Sequence, residues 1–451
     1  SLAARLGWAA ATYGPALAGT LAATSVNFDL SVFELFAPLV VGGTVVLVEQ
    51  LLTPPAPDAP AVTLVNTVPS VLAEALRLWR LPPTVQTVNL AGEALPQALV
   101  QALAEGGTVR AVYNLYGPTE DTTYSTAAAV TAGEGVPAIG RPLAGTRAYV
   151  LDGRGELAPV GAVGELSLGG VGQARGYLGS AERTAERFVP DGVSGAAGAR
   201  LYRTGDLVRY REDGQLAYVG RADGQVKLRG YRVELGEIEA VVRGHAGVAE
   251  AAVVAVGEAG AERRLVGYVA GREGWGEAEL VRGVQEWVGA RLPGYMQPGQ
   301  WVVLARLPRT ASGKVDRRGL PAVERAGGSG AGGAARTATE GVVAGIWEEV
   351  LGVSGVGVEE NFFGLGGHSL LATRVVARLR DAFGIDLPLQ HLFTSPTIAG
   401  IASLIDAGLP ALPDARRIVA QPRGEATLDQ LLDELGQEPP AGPRAQPDEG
   451  I

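Results

Sequence analysis

Cysteine is absent from all 451 residues. The chain has no disulfide and no thiol of its own, so any thiol chemistry here has to be carried by a prosthetic group. Lysine is nearly absent: of 38 basic residues only Lys227 and Lys314 are lysines. With abundant Ala, Gly and Pro, this bias fits a GC-rich coding sequence. The two lysines that persist are candidates for positions where a compact ammonium is not replaceable by a planar guanidinium. No apolar run approaches the ~20 residues of a membrane-spanning helix, and no signal peptide is found. A membrane partner is thereby disfavoured and a cytoplasmic location expected. A formal net charge of -10 without a long basic stripe disfavours nucleic acid.

The chain is too long for one ordinary core, and 47% hydrophobic residues suffice for several. Residues 1–221 alternate short apolar runs with helical patterns, as α/β domains do. Examples are strands at Thr44–Val48 and Val62–Val65 and a helix at Pro69–Trp79. A smaller α+β segment follows over 222–322, with a helix at Glu237–Arg243 and a strand at Glu250–Val256. Residues 323–338 are rich in Gly and Ala and read as a linker. Residues 339–407 read as a small all-α domain of four-helix type. Its first helix is expected to be capped by Thr339, with Val343, Ile346, Trp347 and Val350 on one face. The tail, 408–451, reads as disordered. Its amphipathic stretch Leu428–Leu435 is either an inert terminus or a docking helix.

The segment Asn361-Phe-Phe-Gly-Leu-Gly-Gly-His-Ser369-Leu-Leu is the sharpest signal. Ser369 stands at the mouth of a helix, near the positive end of its dipole, with Leu371, Val375 and Leu379 facing inward. Taken alone, Ser369 could be a plain helix cap. The whole stretch from Thr339 to Ala407, including Leu392-Phe-Thr-Ser-Pro-Thr-Ile, resembles the peptidyl and acyl carrier proteins. The resemblance implies that Ser369 receives phosphopantetheine from coenzyme A through a phosphopantetheinyl transferase. The arm's thiol would answer the missing cysteine.

Upstream, six segments occur in order. They are Phe28-Asp-Leu-Ser-Val-Phe-Glu34, Asn114-Leu-Tyr-Gly-Pro-Thr-Glu120, Gly164-Glu-Leu-Ser-Leu-Gly-Gly170, Tyr202-Arg-Thr-Gly-Asp-Leu207, Gly220 to Glu237, and Ser312-Gly-Lys-Val-Asp-Arg317. Together they resemble the adenylate-forming superfamily, and most closely the adenylation domains of non-ribosomal peptide synthetases. That chemistry joins a carboxylate to the α-phosphate of ATP and expels pyrophosphate, so it needs a divalent metal and cations. The resemblance implies Glu120 as a Mg²⁺ ligand, Tyr116 stacked on adenine, and Asp206 on the ribose hydroxyls. Tyr218 and Arg221 would flank the nucleotide. Lys314 would reach the substrate carboxylate and the phosphate. Asp223 and Lys227 would mark a hinge about which 222–322 swings between adenylation and thioester formation. Ser31 and Glu34 fit a capping box, so Glu34 is read as structural.

By the same resemblance the substrate pocket is Asp29, Leu30, Phe33, Asn66, Asn89, Ala91, Leu115, Thr123, Tyr124 and Lys314. Asp29 would pair with the α-ammonium of an amino acid, which an acyl-CoA ligase has no need to do. The bulky Phe33, Tyr124, Leu30 and Leu115 leave room for a small side chain, and the set is similar to the family's alanine pockets. Such a chain would load its own carrier between upstream and downstream synthetase modules. Two alternatives stay open: a carrier module with an inactive adenylation remnant, and an acyl-CoA-ligase-like enzyme fused to an acyl carrier. The family's Ser/Thr/Gly-rich phosphate loop is not found before Phe28. The chain is therefore expected to be a carboxyl-terminal fragment whose large subdomain, 1–221, is truncated and adenylates poorly by itself.

Overall fold

The computed structural model describes residues 1–408 apart from 53, 134, 224, 229–230, 258–262, 311–313, 324–332, 368 and 386. Most of the Gly/Ala-rich linker, the tail with its Leu428–Leu435 stretch, and Ser312-Gly313 before Lys314 lie outside the described residues. Residues Ser1–Ala407 group as one unit.

Runs of buried β-branched and small residues build the first sheet. Its strands are β1 (Gly19–Ala22), β2 (Thr44–Leu47), β3 (Leu64–Thr67), β4 (Thr87–Ala91), β5 (Ala111–Tyr116), β6 (Thr126–Val130) and β7 (Arg141–Pro142), in the order β2-β1-β3-β4-β5-β6-β7. The first five in that order are parallel; β6 and β7 join antiparallel. Strands β1, β3 and β4 are buried along their whole length, as central parallel strands covered on both faces are. The expected strand at 62–65 begins two residues later, and the helix after it spans Pro69–Leu78. At the other edge, Leu47 on β2 is exposed, as are Phe36 and Leu39 on the helix Leu30–Leu39.

The expected capping box on that helix does not form. The helix starts at Leu30 with Asp29 at its cap position, and the Ser31 hydroxyl donates to the Phe28 carbonyl at 2.7 Å. Glu34 is fully buried and turned toward β1 instead. It accepts from the amides of Ala23 and Thr24, the Thr24 hydroxyl and the Asn66 amide. Four donors on one buried carboxylate outweigh a solvent-facing cap. Burial pushes the Glu34 carboxyl above the usual range, and these donors oppose the shift.

A second, antiparallel sheet over 146–221 packs beside the first and carries Asp206 and Arg221 on paired strands. The smaller subdomain opens with the hairpin Gln225–Leu228 and Tyr231–Glu234. Behind it, helices Leu235–Arg243 and Glu277–Gly289 share a core with the sheet of Val248–Val256, Arg264–Gly271 and Gln300–Leu304.

Among the described residues, the last domain has four helices: Ala338–Leu351, Ser369–Phe383, Leu389–Thr394 and Ile398–Asp406. The cap of the first is Thr337, in a reciprocal capping box with Glu340, and not Thr339. The Thr339 hydroxyl meets Asp406 at 2.5 Å and ties the first helix to the last. Val343, Trp347 and Val350 are buried as expected, Ile346 only half so, and the Trp347 indole meets the Phe362 ring edge-on at 5.0 Å. Val375 and Leu379 are fully buried on the helix that Ser369 starts, while Leu371 is half-buried. No helix among the described residues is long and apolar enough to cross a membrane.

Candidate functional site

The ends of β4 and β5, the start of the helix Leu30–Leu39, and the hairpin of the smaller subdomain meet around a cleft of about 60 Å³. Of the residues expected there, Asp29, Leu30, Ala91, Tyr116, Thr123, Asp206, Arg221 and Lys227 line it together. After β5 the chain passes Gly117, where a Cβ would sit 2.5 Å from the Thr123 carbonyl, and folds back through a single turn at Thr119–Asp121. Thr122 and Thr123 follow with φ of 60° and 63°, a conformation that costs energy for a β-branched residue. This tight return brings the Thr119 hydroxyl to Asp29, donating at 2.7 Å. Burial raises the Asp29 carboxyl above its usual range and Thr119 opposes the rise.

On the nucleotide side, buried Asp206 accepts from the Tyr116 hydroxyl at 2.5 Å and the Arg221 guanidinium at 2.8 Å, with the Tyr218 hydroxyl at 3.4 Å. Arg221 also holds both Asp223 oxygens at 2.7 Å. Asp223 is thereby fixed at the expected hinge. Lys227 Nζ lies 5.0 Å from the Tyr116 ring centroid and 5.8 Å from that of Tyr218. Burial holds its ammonium below the usual lysine range, partly offset by Asp206. The Tyr116 ring expected to meet adenine thus meets a cation in this arrangement.

Glu120 is engaged as well. Arg232 of the hairpin reaches its two oxygens at 2.9 and 3.2 Å, and the Tyr177 hydroxyl donates at 2.7 Å. Burial acts to raise the Glu120 carboxyl, but Arg232 and Tyr177 more than offset it and hold it below the usual range. No cluster of three or more His, Cys, Asp or Glu that could hold a metal is present among the described residues. One carboxylate still fits Mg²⁺, which is commonly bound through one or two carboxylates plus substrate phosphates, once Arg232 lets go. The metal would offset phosphate charge there; Glu120 would position it, with Tyr177 orienting the carboxylate.

Lys314 is not in the cleft. It is exposed, and its carbonyl accepts from the Thr310 amide at 2.8 Å within its own loop. The expected pairing of Lys314 with the pocket is therefore absent from this arrangement. Here the smaller subdomain turns Lys227 and Arg232 toward the cleft.

Phe33, Asn66, Asn89, Leu115 and Tyr124 form the buried ground beneath the cleft. Phe33 meets Tyr13 and Tyr124 edge-on, each at 5.6 Å, and Trp8 lies 6.3 Å from Tyr124. The Tyr124 hydroxyl donates to Asn66 at 2.6 Å, and Asn66 donates to Glu34 at 3.2 Å. Sequence reasoning missed Arg232, Tyr177, Trp8 and Tyr13. Arg232 lay within a matched segment but had no role assigned.

At the other end, Ser369 is the first residue of a 15-residue helix. Before it, Gly366 has φ of 95°, and a Cβ on Gly367 would lie 2.4 Å from the Phe362 ring. A cavity of about 640 Å³ opens between this turn and the smaller subdomain. The turn and its close-packed glycines fit a phosphopantetheine arm, which Ser369 would hold and whose thiol would supply the thioester chemistry.

Three family models match the chain in turn. The family model of AMP-binding enzymes matches residues 6–178, that of the AMP-binding enzyme C-terminal domain 237–314, and that of the phosphopantetheine attachment site 341–405. The chain is 50% identical over 395 residues to a linear gramicidin synthase protein of Brevibacillus parabrevis, covering 87% of this chain and 8% of that one. It is 43% identical over 449 residues to a phosphinothricin tripeptide synthetase of Streptomyces viridochromogenes, covering 96% and 38%. The chain therefore spans well under half of either relative. Among solved structures, a non-ribosomal peptide synthetase protein with adenylation and carrier domains, bound to a vinylsulfonamide inhibitor, is similar at a TM-score of 0.64. It is 29% identical, over 86% of this chain and 66% of that one. Fold, cleft and carrier turn agree with these matches, and the chain belongs to the non-ribosomal peptide synthetase family, as an adenylation domain of the AMP-binding enzymes followed by a phosphopantetheine carrier domain.

Proposed function

We propose that the chain activates L-alanine with ATP and loads it onto the arm of its own Ser369, as one step of non-ribosomal peptide synthesis. A carboxylate oxygen of the amino acid attacks the α-phosphorus of ATP and pyrophosphate leaves. The acyl carbon then exchanges its bond to AMP for one to sulfur, with release of AMP and the thiol proton. Asp29 holds the α-ammonium, Lys314 the reacting carboxylate and phosphate, Glu120 the Mg²⁺, and Asp206 with Tyr116, Tyr218 and Arg221 the nucleotide. Asp223 and Lys227 serve the swing of the smaller subdomain. A phosphopantetheinyl transferase and neighbouring synthetase modules are the partners, and the cytoplasm is the compartment.

Asp29 is the observation that carries the amino-acid reading. Its carboxylate faces the cleft, steadied by Thr119 at 2.7 Å, where a substrate ammonium would meet it. The small size of the side chain is supported by the floor of Phe33, Tyr124, Tyr13 and Trp8 and by Leu30 and Leu115. Amino-acid-dependent ATP–pyrophosphate exchange tests both. Alanine is expected to lead, with glycine and serine lower by about tenfold or more, since one methyl group discriminates by only ~1–3 kcal/mol. Preference for a bulky side chain, or for an acid without an amino group, would overturn the assignment.

A further inference from the structure

The carrier touches both parts of the adenylation domain. Arg374, on the helix that begins at Ser369, makes an ion pair of 2.7 Å with Glu74 on the large subdomain's helix Pro69–Leu78; the two side chains are 17% and 8% exposed. Glu74 also meets Arg77 of its own helix at 3.3 Å. Arg378, one turn beyond Arg374, instead pairs with Glu349 inside the carrier. On the smaller subdomain, a Cβ at Gly299 would lie 2.6 Å from the Phe363 carbonyl oxygen of the carrier turn. Gly299 has no left-handed φ, so its backbone alone does not call for glycine. The space taken by the carrier does.

These two contacts sit on the two subdomains that the hinge proposed above would move relative to each other. Both are made at once only when the smaller subdomain stands as it does here, with Lys227 in the cleft and Lys314 outside it. We propose that Glu74 and Gly299 seat this protein's own carrier, Glu74 through the Arg374 side chain and Gly299 by admitting the Phe363 carbonyl. By bridging the two subdomains, the docked carrier holds the arrangement in which the acyl group is transferred. This rests on the loading step proposed above, and it adds the residues that dock the carrier for it.

The test uses the holo protein. Because the chain has no cysteine, spin labels placed through R80C on the large subdomain and D381C on the carrier report one distance. Arg374→Glu sets like charges against each other, and Gly299→Ala fills the gap. Each is expected to broaden a narrow distance distribution and to slow single-turnover loading by at least about tenfold, with ATP–pyrophosphate exchange changed less than about twofold. The reciprocal E74R/R374E pair is expected to restore both readouts, while leaving the effect of G299A in place. Phosphopantetheine attachment to each variant shows that its carrier is folded. Unchanged distances in both R374E and G299A, or no recovery in a folded reciprocal pair, would overturn the proposal. If no amino acid is activated, the assigned reaction fails, and the spin-label distances still decide the docking residues.

Discussion

Lys314→Ala is expected to lower ATP–pyrophosphate exchange by about 10³-fold, because it removes the ammonium that meets charge developing on carboxylate and phosphate. Transfer from a preformed aminoacyl adenylate should change little, since in the arrangement described here Lys314 is exposed and away from the cleft. Lys227→Ala should behave the other way round. Its ammonium stands 5.0 Å from Tyr116 and beside Asp206 in this arrangement, so transfer should slow by about tenfold while exchange is largely kept. Exchange and single-turnover transfer, measured on both variants, separate the two lysines. Equal losses in both half-reactions for both variants would mean that the two lysines do not divide the work.

The second large effect is expected at Asp29. Asp29→Ala leaves the substrate ammonium without a partner in a partly desolvated cleft, and exchange with amino acids should fall by about 10²–10³-fold. The loss should appear chiefly in KM, because the ammonium is bound alike in the ground and transition states. The burial that raises the Asp29 carboxyl sets a direction in pH as well. The carboxylate form is the one that binds an ammonium, so the acid limb of kcat/KM for the amino acid should lie above an ordinary aspartate titration. A pH profile on the wild-type chain checks this. An acid limb at or below the usual aspartate range would show that another group holds the ammonium.

Much of this was legible in the sequence because adenylation and carrier chemistry sit in short contiguous segments. Glycines before Ser369, the turn after Tyr116, and Asp206 near Arg221 each need fixed local spacing, and the fold brings the last two groups to one cleft. What was misread depends on distance along the chain. Ser31 and Glu34 have the right spacing for a cap, yet Glu34 is drawn away by Thr24 and Asn66, the latter 32 residues off. Thr337 and Thr339 flank the first residue of the same helix, and only Thr337 has a glutamate three residues on to complete the reciprocal cap. Arg232 is 112 residues from Glu120, so no local pattern announces their pairing. Lys314 illustrates a different limit: its motif marks it for the site, and nothing in that motif tells that it stands exposed and outside the cleft here.

Intact and peptide mass of the chain gives the most direct check. The chain is treated first with coenzyme A and a broad phosphopantetheinyl transferase, then with alanine and ATP–Mg. A single arm on the Ser369 peptide, followed by an alanyl increment on the same peptide that hydroxylamine removes, is the expected result. An unmodified Ser369 in a folded carrier would contradict the carrier assignment, and an arm that gains no alanyl group even from preformed alanyl adenylate would contradict self-loading.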